Sequence, residues 1–550
     1  MQTAVQTIVS GVNEAGLIQN LKVMFTTTGV VLSELMQNSR RAGATSVQFD
    51  FDEATKSLVV TDNGCGIDDW RVLLTIADSG WSEEVMQADR PYGMGFFSVA
   101  FSAENILVES RGKAIEFSAD DLIAKRHIAV LKSEFIGGTR VTMNGFKLNA
   151  SMIETALKRF ARGFELPVIW QGKTLPSPHA REQLNGVMTD IGFVSHPCIH
   201  GESTKLPRAI EVYCQGLPVK VEGASSTSSF RWGDEAELTT VIHLDHLKFQ
   251  PRMPDRECIV DGAAAGQAIN AVLKAMYQSF LERQKSSMSA EAFATAYWAM
   301  ARAVGMQDVM NDVPFIPAAA LYTFSDTPYR TSDGESYLEQ RDIGVTQAEV
   351  EAGSVILMND YDPDDEEEDG MIKLMTACLA NWVMVEGLSK NHWASQHVKH
   401  LGGIRMDATY AGNLVRENFS GHYVWGEVIL ADRLHVSFAD VDMDIETPVV
   451  LGDVHGEMQI IIPRAGIDEA FKVLRQASTY IDNRDVFAEM EYETDEEELE
   501  NLVRVMAGED APATLLRLIS KSQAPSMANL RNQQFTVKFD EGGNVTVVAA

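Results

Sequence analysis

Apolar side chains recur with two different periods along the first 150 residues of the chain. Leu32, Leu35 and Met36 lie at helical spacing, whereas Val47 and Phe49 alternate with polar residues, as in a strand with one buried face. Helices are therefore predicted over residues 21–42, 68–79 and 96–103, and strands over residues 46–52, 57–62, 105–111 and 139–143. This order predicts an α/β sandwich that closes near residue 148.

The same two periods continue beyond residue 150 and indicate two further parts. Helices are predicted from residue 151 and over residues 264–284, 290–304 and 371–387, and strands over residues 209–214, 238–244, 448–463 and 534–548. A short polar run at residues 284–287 predicts a linker. The predicted fold class is α+β, with domains at residues 1–148, 151–285 and 288–550. The last of these is a mixed α/β region with room for two subdomains.

Composition is typical of a globular protein outside the membrane. Hydrophobic residues make up 45% of the 550, without the run of about 18 apolar residues that a membrane span needs. The first twenty residues lack the basic and apolar pattern of a signal peptide. The five cysteines are scattered and form no C-x-x-C pair, which fits reduced thiols. We expect a cytoplasmic protein, in the host cytoplasm if a phage encodes it.

The chain is strongly acidic, with a formal net charge of −32. A surface of this sign repels nucleic acid in general, although a local basic patch could still bind it. The acidic residues are densest at residues 360–369 and 482–500. Acidic runs usually serve solubility, and a basic protein partner is the alternative that they leave open.

One helix in the first domain carries a candidate catalytic pair. Glu34 and Asn38 are four residues apart, so their side chains project from the same helical face. A carboxylate there could polarise a water molecule, and the amide oxygen of an asparagine suits Mg²⁺ shared with phosphates. A glutamate and an asparagine are also ordinary surface residues, so the pair is informative only together with the segments that follow.

Two glycine-rich segments at strand ends could bind a flat, polar ligand. Asp62 could accept a hydrogen bond from an exocyclic amine, and Gly64 and Gly66 would let the backbone approach the ring. Thr139 follows a pair of glycines, and its hydroxyl could reach the same ligand through water. A plain β-turn explains the Asp-Asn-Gly run equally well.

A third glycine segment leads directly into a helix. Gly93 and Gly95 precede the helix predicted over residues 96–103, and amides at such a helix start suit the phosphates of a nucleotide. The polar residues 80–91 before it could form a lid that closes over the nucleotide. Two glycines before a helix are weak evidence by themselves.

In order and spacing, these four segments resemble the GHKL ATPases, which include DNA gyrase, the ninety-kilodalton heat-shock chaperones, histidine kinases and MutL. Residues 34–45 are most similar to MutL, and residues 74–80 and 92–98 are more similar to the heat-shock chaperones. The resemblance implies a Bergerat-fold domain that binds ATP and Mg²⁺. The presence of Glu34 argues against a histidine kinase, which generally lacks this hydrolytic role.

The resemblance also implies a role for each matching residue. Glu34 would be the general base and Asn38 the Mg²⁺ ligand. Arg41 departs from the pattern, because MutL and the chaperones usually have an aspartate before the alanine. The implied nucleotide contacts are Asn38, Ala42, Asp62, Gly64, Gly66, Ile67, Gly93, Met94, Gly95, Phe96 and Thr139.

The second domain is similar to the S5-like transducer domain of these ATPases, which supplies a cation to the γ-phosphate. The basic segment at residues 247–257 offers Arg256, Arg252 and Lys248, with the two arginines favoured. All three could instead form ordinary salt bridges. The run Pro-Asp-Arg-Glu at residues 254–257 is also similar to a run in the phage RIIA proteins, although that likeness is short.

The resemblance implies a slow ATPase clamp that changes conformation or dimerises with nucleotide and acts on a protein client. Two alternatives remain open. The first is a nucleotide-gated phage or anti-phage regulatory module with little turnover. The second, less favoured because of the net charge, is a MutL-like clamp that acts on DNA. A likeness of fold does not identify the client, whose surface could be basic.

Three other signals are weaker. Residues 452–456 resemble the opening motif of a metallophosphoesterase, without its companion motifs, and a strand-end turn is favoured. His392, His397 and His400 could ligate a metal, but buried and satisfied or exposed histidines are far commoner. The acidic residues 360–364 lack the glycine of a calcium loop.

Overall fold

The computed structural model describes residues 29–76, 78, 80–89, 91, 93, 95–199, 206–207, 209–223, 239–252, 256–324, 338–361, 370–452, 458–477, 488–521, 533–542 and 544–549. The chain divides into two compact units, Met1–Arg283 and Gln284–Ala550. No helix among the described residues has the length and apolar character that a membrane crossing requires. Both units mix helices with sheets, so the α+β class is confirmed.

Over its described residues, the first unit is built around an eight-stranded mixed sheet. Its strands are β1 Val47–Asp52, β2 Ser57–Asp62, β3 Asn105–Ser110, β4 Lys113–Phe117, β5 Leu131–Lys132, β6 Thr139–Asn144, β7 Val168–Trp170 and β8 Lys173–Thr174. Their order in the sheet is β5-β4-β3-β6-β2-β1-β7-β8. The helices of this part of the chain are α1 Gly29–Arg41, α2 Trp70–Leu73, α3 Glu83–Asp89, α4 Gly95–Ser102, α5 Ala119–Ile123 and α6 Ala150–Ala161.

The predicted helix and hairpin at the start of the domain are confirmed over the described residues. Strands β1 and β2 pair antiparallel, with Phe49 opposite Val60. Leu32 and Met36 of α1 are fully buried and pack in one core with Phe49. This apolar face fixes α1 against the sheet, so its polar side chains Glu34 and Asn38 must lie on the remaining faces. The part of the predicted helix before Gly29 lies outside the described residues.

The sheet extends past residue 148, where the sequence predicts that it closes. Strand β7 runs parallel to β1, with Val47 opposite Val168, and β8 extends the edge to Thr174. Helix α6 is the connection to this parallel strand, and its Ile153 and Leu157 are fully buried in the same core as α1. The helix predicted from residue 151 is confirmed, but it packs on the first sheet.

One prediction between residues 68 and 91 is wrong in its extent. The helix predicted over residues 68–79 ends at Leu73, where the Thr75 hydroxyl donates to the carbonyl oxygen of Arg71 at 2.7 Å. Such a side-chain hydrogen bond competes with helix continuation. The polar residues 80–91, for which the sequence predicts a lid and no particular element, contain helix α3, and their role as a lid stays a prediction. Its sequence, Glu-Glu-Val-Met-Gln-Ala-Asp, consists mostly of good helix formers.

A second, five-stranded sheet completes the first unit. Its strands are β9 Val187–Thr189, β10 Gly192–Ser195, β11 Ala209–Cys214, β12 Leu217–Pro218 and β13 Thr239–Leu244, in the order β12-β11-β13-β10-β9. The long helix α7 covers Gly262–Ser287 and buries Ile269 and Leu273 against this sheet. The predicted strands and helix of this region are confirmed. The predicted linker at residues 284–287 is instead the last turn of α7.

Over its described residues, the second unit contains five sheets of two to four strands each. Its strands are β14 Phe315–Ile316, β15 Leu321–Phe324, β16 Leu338–Gln340, β17 Val345–Thr346, β18 Ile356–Met358, β19 Trp382–Val385, β20 Asp407–Ala411, β21 Val415–Ser420, β22 Trp425–Ala431, β23 Arg433–Phe438, β24 Val441–Asp444, β25 Val449–Leu451, β26 Gln459–Pro463, β27 Phe535–Phe539 and β28 Val545–Ala549. Its α-helices are α8 Ala290–Ala303, α9 Gln347–Glu351, α10 Gly370–Leu379, α11 Val473–Ala477, α12 Glu489–Met506 and α13 Ala511–Lys521.

The sheets of the second unit are β14-β17, β16-β15-β19-β18, β20-β23-β24, β21-β22-β26-β25 and β27-β28. The helix predicted over residues 371–387 is wrong in its second half, because it ends at Leu379 and Trp382–Val385 forms β19. Asn381 makes the turn in the left-handed region with a φ of 62°. Residues 362–369 and 453–457, which hold most of one acidic run and the discounted phosphoesterase motif, lie outside the described residues.

Candidate functional site

Helix α1 presents a buried polar face beside its apolar one. Glu34 is 2% exposed, Gln37 is 0% exposed and Arg41 is 9% exposed, whereas Asn38 is partly exposed. Charged side chains are rarely buried to this degree unless they are paired. The buried polar face therefore indicates a site whose charges are balanced by other parts of the first unit.

Glu34, the predicted general base, is paired with Arg256. The Nε of Arg256 lies 2.5 Å from Oε1 of Glu34, and the arginine side chain is 7% exposed. Neither atom makes an aligned hydrogen bond within the described residues, so the contact is a buried ion pair. Arg256 adopts a φ of 54°, a left-handed conformation that an L-residue rarely takes. The carboxylate of Glu34 is thus neutralised in this structure.

Of the three predicted transducer cations, Arg256 is the one that contacts Glu34. The Nζ of Lys248 donates to the carbonyl oxygen of Asp190 at 2.8 Å, and its side chain is exposed. Arg252 is also exposed, and its carbonyl oxygen accepts from the amide of Arg256 at 2.9 Å. Arg252 is therefore one support of the turn that carries Arg256.

The predicted phosphate loop lies directly on Glu34. A Cβ built on Gly95 would come within 2.1 Å of Oε2 of Glu34, so any larger residue at this position would have to displace the carboxylate. Gly93 has a φ of 64°, which glycine adopts without strain. Phe96 is partly buried and lies 6.4 Å from Phe117, ring centre to ring centre. Met94 lies outside the described residues.

A second cluster joins Asp62 to Ala42, Gly64 and Thr139. Asp62 accepts hydrogen bonds from the amide of Gly64 at 2.9 Å and from Oγ of Ser39 at 3.3 Å. Burial raises the pKa of Asp62, and these hydrogen bonds oppose the rise. Asp62 is opposite Thr139 in the pairing of β2 with β6. The structure therefore brings together the residues that the sequence predicts to contact the flat ring of the nucleotide.

The two glycines beside this cluster, Gly64 and Gly66, leave no room for a side chain. A Cβ on Gly64 would lie 2.6 Å from the Cβ of Ala42 and 2.8 Å from its carbonyl oxygen. Gly66 has a φ of 76°, and a Cβ there would lie 2.6 Å from Oγ of Ser110. That hydroxyl also accepts from the amide of Ile67 at 2.9 Å. Ser110 therefore stabilises the turn at Gly66. No feature of the sequence distinguishes Ser110 as a residue of the site.

Two glutamines and an aspartate, Gln37, Gln215 and Asp89, support the polar face of α1, and sequence reasoning missed all three. Gln37 donates to the carbonyl oxygen of Gln215 at 2.7 Å. Gln215 donates to the carbonyl oxygen of Asp89 at 3.2 Å and accepts from Nη1 of Arg256 at 3.3 Å. Gln215 thus ties α1, α3 and the Arg256 turn together. Neutral amides carry no charge pattern, so the sequence does not distinguish them from surface residues.

Asp89 holds two adjacent arginines of α1. It accepts from Nε of Arg41 at 3.0 Å and pairs with Nη2 of Arg40. Nη1 of Arg41 donates to Oδ1 of Asn38 at 3.3 Å. Burial and the charge of Arg256 lower the pKa of Arg41, while Glu34 and Asp89 oppose the shift. Two arginines therefore interact electrostatically with Glu34, Arg41 from α1 and Arg256 from the segment before α7.

The residues present do not form a metal site by themselves. Within the described ranges, no group of three or more His, Cys, Asp or Glu side chains could hold a metal ion. Asn38 offers one neutral oxygen, and that oxygen already accepts from a guanidinium. Glu34 is neutralised by Arg256. The role of Asn38 as a Mg²⁺ ligand stays a prediction.

Residues 26–134 match the family model described as histidine kinase-, DNA gyrase B-, and HSP90-like ATPase. The N-terminal domain is a GHKL ATPase domain. The match includes Glu34, Asn38, Asp62 and both glycines of the phosphate loop, and the resemblance inferred from these motifs is confirmed at the level of the superfamily. No curated protein matches the sequence at a significant level.

The GHKL match covers about a fifth of the chain and ends before several residues of the site. Thr139, Gln215 and Arg256 all lie beyond residue 134, yet they contact the GHKL domain within the same compact unit. Membership of the family supports nucleotide binding and hydrolysis in general terms. The roles of single residues, and everything about the second unit, are matters of proposal.

Proposed function

We propose that the chain binds ATP in its GHKL domain and hydrolyses it slowly, with Glu34 as the general base. The observation that carries this proposal is the meeting of Glu34, Gly95 and Arg256 at one point. A base, a phosphate-loop glycine and a cation from a later segment are the groups that phosphoryl transfer to water needs. The cluster around Asp62 and Gly64 is proposed to hold the adenine.

The ion pair gives a physical reason for slow turnover. A carboxylate that is neutralised by a guanidinium 2.5 Å away is a poor proton acceptor. The γ-phosphate of ATP would compete for Arg256, since a phosphate carries more charge than a carboxylate. We propose that Arg256 moves from Glu34 to the γ-phosphate when ATP binds. This exchange would place a cation on the transferred group and leave Glu34 free to polarise water.

The same observation supports the second candidate, a nucleotide-gated module with little turnover. If Arg256 keeps its contact with Glu34 in the ATP complex, binding would shift the conformation without activating the base. As a finer part of the proposal, nucleotide binding favours dimerisation of the GHKL domains, and the second unit recognises a protein client. Mg²⁺ belongs to this proposal only through the family, because the described side chains do not form a metal site.

The deciding experiment measures ATP binding and steady-state ATP hydrolysis by the full chain and by Glu34→Ala. For the ATPase, we expect wild type to bind and hydrolyse ATP, whereas Glu34→Ala binds ATP and loses about 99% of the turnover, the roughly 10²-fold effect of a general base. The exposed Glu116 supplies a matched control, and Glu116→Ala should keep full turnover.

Two other outcomes separate the remaining possibilities. If wild type and Glu34→Ala both bind ATP and neither hydrolyses it, the regulatory module is the better description. If wild type binds no nucleotide, the proposed function is wrong for this chain. Sedimentation of wild type with and without a non-hydrolysable ATP analogue tests dimerisation directly, because the monomer mass of 60.6 kDa would double.

A further inference from the structure

Arg41 is a buried cation whose hydrogen-bonding capacity is not fully used. Its side chain is 2% exposed. Nε donates to Asp89 and Nη1 donates to Asn38, but Nη2 is buried without a hydrogen-bond partner within the described residues. An unpaired buried donor is destabilising, and more so on a charged group. A buried donor that lacks a partner in the free protein is a candidate ligand contact.

The position of Arg41 indicates which kind of ligand could accept the hydrogen bond that Nη2 does not make within the described part of the free protein. It lies one helical turn from Asn38 on α1, the helix that also carries Glu34 beneath the phosphate-loop residue Gly95. Asn38 is partly exposed, and its 3.3 Å contact with Arg41 is long for a hydrogen bond to a charged donor. A group that displaces this contact reaches the guanidinium from the side of Asn38. An anionic oxygen suits this place, because guanidinium binds phosphate in a fork geometry.

We propose that Arg41 binds the phosphate chain of the nucleotide beside Asn38 and makes nucleotide affinity largely independent of Mg²⁺. The inference rests on the proposed ATP site and deepens it. A divalent cation usually neutralises the charge that the β- and γ-phosphates share. Here a guanidinium covers the oxygen of Asn38 that such a cation would need, so the protein itself supplies the positive charge.

The test compares dissociation constants by calorimetry for ATP, ADP and adenosine, each in Mg²⁺ and in EDTA. Wild type should bind ATP with affinities that differ by less than about threefold between the two conditions. Arg41→Gln should weaken ATP binding in EDTA by about tenfold or more, the usual scale for one charge-assisted hydrogen bond. Its affinity for adenosine, which carries no phosphate, should not change. Mg²⁺ should then restore part of the lost ATP affinity.

Arg40→Gln is the matched control. Arg40 is the neighbouring arginine and also pairs with Asp89, but its Nε donates to Gln37 at 3.0 Å and it makes no described contact with Asn38. This variant should keep the affinity of wild type for ATP in EDTA. Arg41→Lys, which retains the charge, is the second variant in case Arg41→Gln folds poorly, and it should lose less ATP affinity than Arg41→Gln. Thermal unfolding of each variant without ligand reports on folding.

Several results would overturn the inference. Equal losses for Arg41→Gln and Arg40→Gln would mean that both arginines act through Asp89. An equal loss for adenosine would mean that Arg41 only shapes the pocket. Loss of ATP binding by wild type in EDTA would mean that the metal is required, while the proposed ATP site would still stand. Failure of wild type to bind ATP in either condition would overturn both proposals.

Discussion

Glu34 and Arg256 should have a larger coupling free energy than the ion pairs on the protein surface. Both side chains are below 10% exposed. Removing one partner of such a pair leaves a desolvated charge and typically costs about 3–5 kcal/mol. Arg41 also lies close enough to stabilise the Glu34 carboxylate electrostatically. We therefore expect the low end, about 3 kcal/mol, for Arg256→Met, a substitution that removes the charge but keeps an apolar stem.

The coupling is measured with a double-mutant cycle. Glu34→Gln should also destabilise the first unit, since Arg256 then loses its charged partner, and its other described side-chain contact is the 3.3 Å hydrogen bond to Gln215. The double variant removes both charges and should recover much of the loss, which gives a coupling free energy of about 2–3 kcal/mol. The exposed pair Glu154–Lys158 on α6, with atoms 2.7 Å apart, is the matched control. Its coupling should be about 0.3–0.5 kcal/mol, as is usual for an exposed helical pair.

The assay must report on the first unit alone, because a chain with two compact units need not unfold in one step. Native-state hydrogen exchange of amides in α1 and β2 gives the free energy of opening for this unit. Additive effects, with a coupling below about 0.5 kcal/mol for Glu34 and Arg256, would refute the reasoning. The ion pair would then be a contact without energetic consequence, and the proposed exchange of Arg256 between Glu34 and a phosphate would lose its basis.

Two further predictions concern the base pocket and the second unit. Gly64→Ala should weaken ATP binding by about tenfold or destabilise the first unit by about 1–3 kcal/mol, since its Cβ would lie 2.6 Å from that of Ala42; calorimetry and thermal unfolding measure this. Gly80→Ala, with Val72 at 3.4 Å, is the tolerated control, and equal effects would contradict the argument. Burial lowers the pKa of His392 to about 4, against the opposing charge of Asp312. As the pH falls from about 6.5 to 4, His392 becomes protonated in the unfolded chain while it stays neutral in the folded one. Protonation therefore favours the unfolded chain, and the free energy of unfolding should fall by about 2–3 kcal/mol. Native-state hydrogen exchange of amides in the second unit should show this loss reduced by about that amount in His392→Asn, whereas the exposed-site variant His400→Asn should retain it.

The parts of the fold that could be predicted are those with local signals. Helix α1 and the β1–β2 hairpin follow from apolar spacing over a few residues, and the glycine segments follow from turn chemistry. The pairing of β7 with β1 has no such signal, because parallel strands are joined through a helix and meet only in the tertiary fold. The local pattern therefore predicts that the first sheet ends near residue 148, whereas it extends to Thr174.

The candidate site divides in the same way. Residues with distinctive chemistry, such as Glu34 and Asp62, could be selected from the sequence by type and spacing. Choosing Arg256 over Lys248 and Arg252 required knowing which of three basic side chains is buried, and burial is decided by distant contacts. Gln37 and Gln215 could not be selected, since their importance lies in two hydrogen bonds between segments that are far apart in the sequence.

Arg41, which replaces the aspartate usual in MutL and the chaperones, changes the balance of buried charge around α1. The buried charges around α1 are two carboxylates, Glu34 and Asp89, and two guanidiniums, Arg41 and Arg256. An aspartate at position 41 would change this balance to three carboxylates against Arg256, and the site would need an external cation before it could accept a nucleotide. With arginine at this position the buried set is already neutral. If a phosphate draws Arg256 away, the two carboxylates share one buried cation, Arg41, and the negative charge that Glu34 regains is what the proposed general base needs.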